Sequence, residues 1–235
     1  MKEIENIERS SKKADIKIIN LHGQNKEVLI FINTFGKTYA EVLGSTFYAS
    51  VQSARNTIVK MKKRGLVTLK PTGLIKPQNE IVLSSKAKVI LKEEGYDIKD
   101  TRSSIKKLEH NMIEQIAYYH LGKVGNVERK SVYHHMNTYH SVPDLEMWWG
   151  GRTIFIEVET TQKSKKRYLE IVKNMSKDNP SFVLYIAPNT TFMMSIAKAM
   201  PLWDKKLYYI DIDTLIHNVK THGKVKPFEQ KELLK

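Results

Sequence analysis

The sequence contains no cysteine. Disulfides, thiolate zinc centres and cysteine nucleophiles are therefore excluded. It also lacks any apolar run near the ~20 residues that a membrane-spanning helix needs. Its longest apolar stretches, Val28 to Ile32 and Phe182 to Ala187, have the length of core elements. The opening stretch MKEIENIERSSKKADIK lacks the apolar centre of a signal peptide. No internal repeat and no low-complexity linker is visible. Acidic residues are scarce as well: 25 Asp and Glu stand against 39 Lys and Arg, a formal net charge of +14. These features predict a soluble, cytoplasmic protein with a polyanionic partner, nucleic acid rather than a membrane.

What is present is enough to build cores. The hydrophobic fraction is 41% over 235 residues, which suits one large or two small domains. The pattern divides into a charged lead-in (1–25), a first compact unit (26–100) and a second unit (101–235). The second unit ends in the basic tail GKVKPFEQKELLK.

In the first unit, Val28, Ile32 and Phe35 fall at helical spacing and Gly36 ends that helix. Thr38-Tyr39-Ala40-Glu41 has the form of a capping box opening a second helix. A third helix begins near Ser50, with Val51, Ala54, Ile58 and Met61 on one apolar stripe. Gln52, Ser53, Arg55, Asn56, Lys60, Lys62 and Lys63 fall on its other face. Two short strands then flank the stretch PTGLIKPQN, and Ser84-Ser85 caps a further helix stopped at Gly95.

The second unit opens with a helix over 104–120, with Ile105, Leu108, Met112 and Ile116 on one stripe. Strands are expected over 127–134, 144–149, 153–160, 182–187 and 207–212, and helices over 164–175 and 191–200. Gly150-Gly151 marks a two-residue hairpin turn. That turn pairs Trp149 with Arg152, Met147 with Ile154, Leu145 with Ile156 and Asp144 with Glu157. In this register the apolar residues Leu145, Met147, Ile154, Ile156 and Val158 share one face, and Asp144, Glu146, Glu157 and Glu159 share the other. Opposed carboxylates destabilise a sheet. A bridging divalent cation would reverse that sign, and Mg²⁺ takes a few carboxylate oxygens plus water and phosphate.

SVQSARNTIVKMKKRGLV and IVLSSKAKVILKEEGY resemble the third helix and the wing of bacterial winged helix-turn-helix proteins. The resemblance implies that the third helix enters the major groove. Gln52, Ser53, Arg55 and Asn56 would then read base edges, while Lys60, Lys62, Lys63 and Lys76 would contact phosphate. The segment around Pro143-Asp144 and Glu157 resembles the PD-(D/E)xK nuclease superfamily. In that superfamily two acids, here Asp144 and Glu157, hold Mg²⁺ or Mn²⁺ and a lysine assists. Glu159 stands where that lysine is expected, and Lys163 is near enough in sequence to substitute. PDLEMWWGGRTIFIEVETTQKSKKRY together with the upstream winged helix resembles the replication-relaxation family of plasmid and mobile-element proteins. The implied fold class is α+β, a winged helix-turn-helix domain followed by an α/β nuclease-like domain.

Plainer readings apply to several residues. Glu146 is expected on the wet face of an edge hairpin, and Glu114 as an ordinary surface glutamate rather than an extra acid of the site. His134, His135 and His140 read as surface or supporting histidines, and Tyr133 and Tyr139 as packing. At most one of Trp148 and Trp149 belongs in a core; the exposed one would stack on a base or a partner. Lys165, Lys166 and Arg167 form a solvated helix face. Two functions stay open. One is a double-stranded DNA-binding protein of a plasmid or mobile element, acting in replication, mobilisation or transcriptional control, with a second domain that does not cut. The alternative is a Mg²⁺-dependent endonuclease targeted by its winged helix. Replication or mobilisation proteins, or a second copy of the chain, are the further candidate partners.

Overall fold

A computed structural model describes residues 23–98, 107–130, 140–203 and 206–234. The lead-in up to residue 22, the 99–106 joint with Ile105, and His134, His135, Tyr133 and Tyr139 lie outside the described residues. The N-terminal part contains α1 (Gln24–Phe35), α2 (Ala40–Thr46), α3 (Val51–Lys63), the hairpin β1 (Val67–Pro71) and β2 (Asn79–Leu83), and α4 (Ser85–Glu93). Gly36 ends α1 at φ 76°, a left-handed backbone that glycine adopts without strain. Ser50 caps α3 by accepting the Ser53 N–H at 3.1 Å, and Ser84 caps α4 by accepting the Ala87 N–H at the same distance. Ala54, Ile58 and Met61 are buried as the α3 stripe predicts. Truncating Ile58 or Met61 to alanine would cost about 2–5 kcal/mol.

The expected capping box of α2 does not form. Its N-cap is Tyr39, with no side-chain cap. Thr38 is drawn instead into a backbone bridge with Ile81, exchanging hydrogen bonds of 2.9 and 2.8 Å. Its hydroxyl is left buried without a partner. Glu41 turns to Arg55 of α3 at 3.2 Å. Long-range pairing here overrides the local cap.

The rest is a six-stranded mixed sheet, ordered β3 (Asn126–Arg129), β4 (Leu145–Trp149), β5 (Arg152–Val158), β6 (Phe182–Ala187), β7 (Lys206–Asp211) and β8 (Phe228–Glu229). β3, β4 and β5 run antiparallel as neighbours, β5, β6 and β7 run parallel, and β8 returns antiparallel. The β4–β5 ladder has the expected register from Leu145 facing Ile156, through Met147 facing Ile154, to Trp149 facing Arg152, and it ends before the expected Asp144–Glu157 pair. Gly150 (φ 56°) and Gly151 (φ 73°) make the turn with both residues at positive φ, as a tight hairpin of this length requires.

α5 (Leu108–Leu121) and α8 (Ile212–His222) cover one face, over Leu145, Ile156, Leu184 and Ile210. α6 (Lys165–Asp178) and α7 (Thr190–Ala199) cover the other, over Phe155, Val183, Tyr185 and Tyr209. α5 buries far more than the expected stripe: Ile113, Glu114, Gln115, Ala117, His120 and Leu121 are buried, while Leu108 and Met112 are only partly so. The reason is that α5 lies between the sheet and the N-terminal helices. Phe31, Phe35 and Phe47 pack against Tyr118 and Tyr119, and His120 Nε2 meets the Ser45 carbonyl at 3.1 Å. The basic tail is docked as well. Phe228 pairs with Tyr209, and α9 (Gln230–Leu233) buries Gln230, whose amide donates to the Ala197 and Met200 carbonyls at 3.0 and 2.9 Å.

Candidate metal-binding and nucleic-acid sites

Carboxylates gather where β4 begins and β5 ends. Asp144 stands one residue before β4. Its Oδ2 accepts the Val158 N–H at 2.8 Å and its Oδ1 faces His110 Nε2 at 3.2 Å. The Glu159 N–H turns the other way, to the Ile186 carbonyl of β6 at 2.9 Å. Asp144 thus takes the amide that a longer β4 would have used, which is why the ladder stops at Leu145.

Glu157 is partly buried and sits beside Tyr185 in the β5–β6 register. No described residue hydrogen-bonds to it or lies within ion-pair distance. Burial pushes its carboxyl well above the ordinary carboxylate range; the Asp144 and Glu159 charges push it further, and Lys163 pulls it back. Burial and the Glu157 charge push the Tyr185 hydroxyl well up in turn. Glu159 is buried and paired with Lys163, four residues on. Asp144, Glu157, Glu159 and Lys163 are therefore brought into one electrostatic neighbourhood.

Two residues of α5 complete it. Glu114 is not a surface glutamate: it is buried, and the Arg129 guanidinium donates to it at 2.6 Å. Burial raises its pKa, Arg129 opposes that, and the Asp144 charge adds to the rise. His110, one turn earlier, was passed over in the sequence. Burial lowers its pKa, but the Asp144 hydrogen bond and charge outweigh that and leave it raised. The i, i+4 spacing of His110 and Glu114 was the available signal, since it places both on one helix face.

Glu146 departs from expectation in the same way. β3 covers β4, so the hairpin is not at the sheet edge and Glu146 is only 4% exposed. It lies directly opposite Glu128, and the Lys130 ammonium reaches both carboxylates at 2.8 Å. His140 is exposed and meets Asp178 at 2.9 Å. Trp148 and Trp149 are both exposed, at 37% and 49%. Lys165, Lys166 and Arg167 are exposed on α6.

On α3, Gln52, Arg55, Asn56, Lys60, Lys62 and Lys63 are exposed, as is Lys76 in the β1–β2 loop; Ser53 is half-buried. Gln52 donates to the Asn56 side chain at 3.1 Å, and Arg55 is held by Glu41. The α3 face is polar and basic, with Val59 its one exposed large apolar side chain.

No family model matches the chain, and no curated protein matches it. Among solved structures, the small subunit of the heterodimeric restriction endonuclease R.BspD6I is similar at 13% identity and a TM-score of 0.33, over 52% of this chain and 74% of that one. A likeness that distant assigns neither fold nor activity. Among the described residues, no group of three or more His, Asp and Glu side chains is arranged to hold a metal ion. No helix of the described residues is long and apolar enough to cross a membrane.

The donor chemistry of Asp144 and Glu157 nevertheless fits a hard cation. Mg²⁺ is commonly held by one or two carboxylates, with water and substrate phosphate completing its shell. Glu157 feels two carboxylate neighbours, Asp144 and Glu159, and one opposing lysine charge, Lys163.

Proposed function

We propose that this chain is a DNA-binding protein with a metal-dependent phosphodiesterase site. Residues 26–100 act as a winged helix-turn-helix domain on double-stranded DNA, and residues 101–235 as a PD-(D/E)xK nuclease-like domain. The observation that carries the reading is Glu157, a partly buried carboxylate without a partner, set against the Asp144 and Glu159 charges. Support also comes from the exposed basic face of α3 and the +14 charge.

Asp144 and Glu157 would hold Mg²⁺ or Mn²⁺. A bound cation there would polarise a phosphate and lower the pKa of a bound water. Lys163 acts on Glu157 through its charge and is paired with Glu159; released from that pair, its ammonium would offset charge on a phosphate. His110 holds one Asp144 oxygen and the Val158 amide holds the other, so the carboxylate is oriented in advance. The plasmid or mobile-element setting, in replication, mobilisation or transcriptional control, rests on the resemblance of residues 143–168 together with the upstream winged-helix pattern.

A second reading has its own observation. Glu159 occupies the expected lysine position and binds Lys163, which favours a domain that holds DNA without cutting it. Incubating supercoiled plasmid with the parent chain, with and without Mg²⁺ or Mn²⁺, decides between them. Metal-dependent conversion to open circle, lost in Asp144→Ala, is the expected result. No conversion under either metal, with duplex binding intact, would leave only the DNA-binding reading.

A further inference from the structure

The hairpin that carries Asp144 and Glu157 at one end carries an unusual surface at the other. Trp148 and Trp149 are consecutive in β4, so their side chains leave opposite faces of the sheet. Normal packing would bury at least one, yet Trp148 is 37% exposed and Trp149 49%. The tip therefore projects beyond the helices that cover both faces of the sheet. Arg152, exposed and directly opposite Trp149, has no ion-pair partner among the described residues. Lys130 lies 5.0 Å from the centre of the Trp148 ring. The loop carrying exposed Lys123 packs against the same strand: a Cβ on Gly125 would come within 3.1 Å of the Trp148 carbonyl. From Met147 to Thr153 there is no acidic residue.

We infer that this tip is a stacking platform for unpaired bases of a nucleic-acid strand, with Trp148 and Trp149 supplying ring faces and Arg152 contacting phosphate. The inference rests on the DNA-binding reading and adds a substrate form to it. Ring faces with cations beside them bind single strands with little regard to sequence, because every base has a π-face and every nucleotide a phosphate. In an intact duplex those base faces are already stacked, so the platform selects unpaired DNA. Charge decides the class of partner: a chain at +14, with Arg152 at the turn and no acidic residue between Met147 and Thr153, suits a polyanion. Five residues at ~3.4 Å each put the tip about 17 Å from Asp144 along β4. A strand held there would run toward the carboxylates.

The test uses the full chain and a thymidine strand of about 20 nucleotides, with a mixed-sequence duplex of equal length as control. The chain has three tryptophans, so its own fluorescence reports stacking. Saturable quenching by the single strand is expected in the parent, and anisotropy of a labelled strand should show binding lost when Trp148→Ala and Trp149→Ala are combined. Each substitution should weaken single-strand binding about 5- to 150-fold. Trp149→Phe should keep more affinity than Trp149→Ala, and duplex binding should stay unchanged. Absent quenching in the parent, or equal single-strand affinity in the double variant, would overturn the inference. So would a parent dimer in sedimentation that the double variant dissociates without any loss of single-strand affinity, since the face would then be a contact between copies. Duplex binding without quenching sinks the platform alone; quenching without duplex binding sinks the winged-helix reading alone.

Discussion

Replacing Glu157 with Gln removes the one carboxylate of the cluster that has no partner, and the effect on stability follows from proton linkage. The folded Glu157 carboxyl is raised well above its unfolded value of 4.5, by burial first and then by Asp144 and Glu159. Between those two values the folded chain binds more protons than the unfolded chain. Stability therefore falls as pH rises from about 4.5, and the loss stops once pH passes the folded pKa. Within that window one group contributes a slope of up to about 1.4 kcal/mol per pH unit. At about 2–4 °C per kcal/mol for a chain of this size, Tm should drop by roughly 3–6 °C per unit. Glu114 and His110 are also raised and add falling slopes of their own. The informative quantity is therefore the difference between parent and Glu157→Gln, which should be steeper in the parent. A cation competes with the proton for the same oxygens. At ten times its dissociation constant it should return about 1.4 kcal/mol, at neutral pH and in the parent only. Thermal melts of both proteins, from pH 5 to 8 and with and without Mg²⁺, measure each quantity. Parallel pH profiles in the two proteins, with no Mg²⁺ response in either, would refute both the electrostatic account of Glu157 and the metal site.

Other outcomes follow from the same geometry. Lys163→Ala should lower the rate of metal-dependent plasmid nicking without weakening duplex binding, and an equal loss of binding would remove its role at the phosphate. Arg55→Ala and Asn56→Ala should each weaken a cognate duplex by ~1–3 kcal/mol, read by fluorescence anisotropy against random duplex. Arg55 must leave Glu41 to reach a base, so Glu41→Ala should tighten binding. Lys62→Ala should weaken all duplexes alike and reduce the salt slope by about one. Lys130→Met should destabilise the fold in urea titrations, because it removes the ammonium that the buried Glu146 shares with the directly opposed Glu128.

Much of the site was legible because its signals are local. Gly150-Gly151 sets a tight turn, and counting outward from it aligns Leu145 with Ile156 and Met147 with Ile154. Only that register puts the apolar residues of both strands on one face, whereas the contacts of Asp144 with His110 and the Val158 amide come from the assembled fold. The α3 stripe follows in the same way from a spacing of three and four. Glu114 and His110 were harder to place. Their helix carries polar residues on a face that solvent would tolerate, and only the packing of α5 between the sheet and α1–α2 buries Glu114 and half-buries His110.

Register and helix stripes thus belong to the chain's own periodicity, because each is set by residues close to one another along the chain. Burial belongs to the assembled fold. Glu146 is enclosed because β3 pairs over it, Thr38 leaves its cap because Ile81 claims its backbone, and the C-terminal residues dock because β7 offers an open edge. The partners in each case lie tens of residues apart or on another strand. The same acidic side chain is wet or buried, paired or repelled, according to what the fold brings beside it.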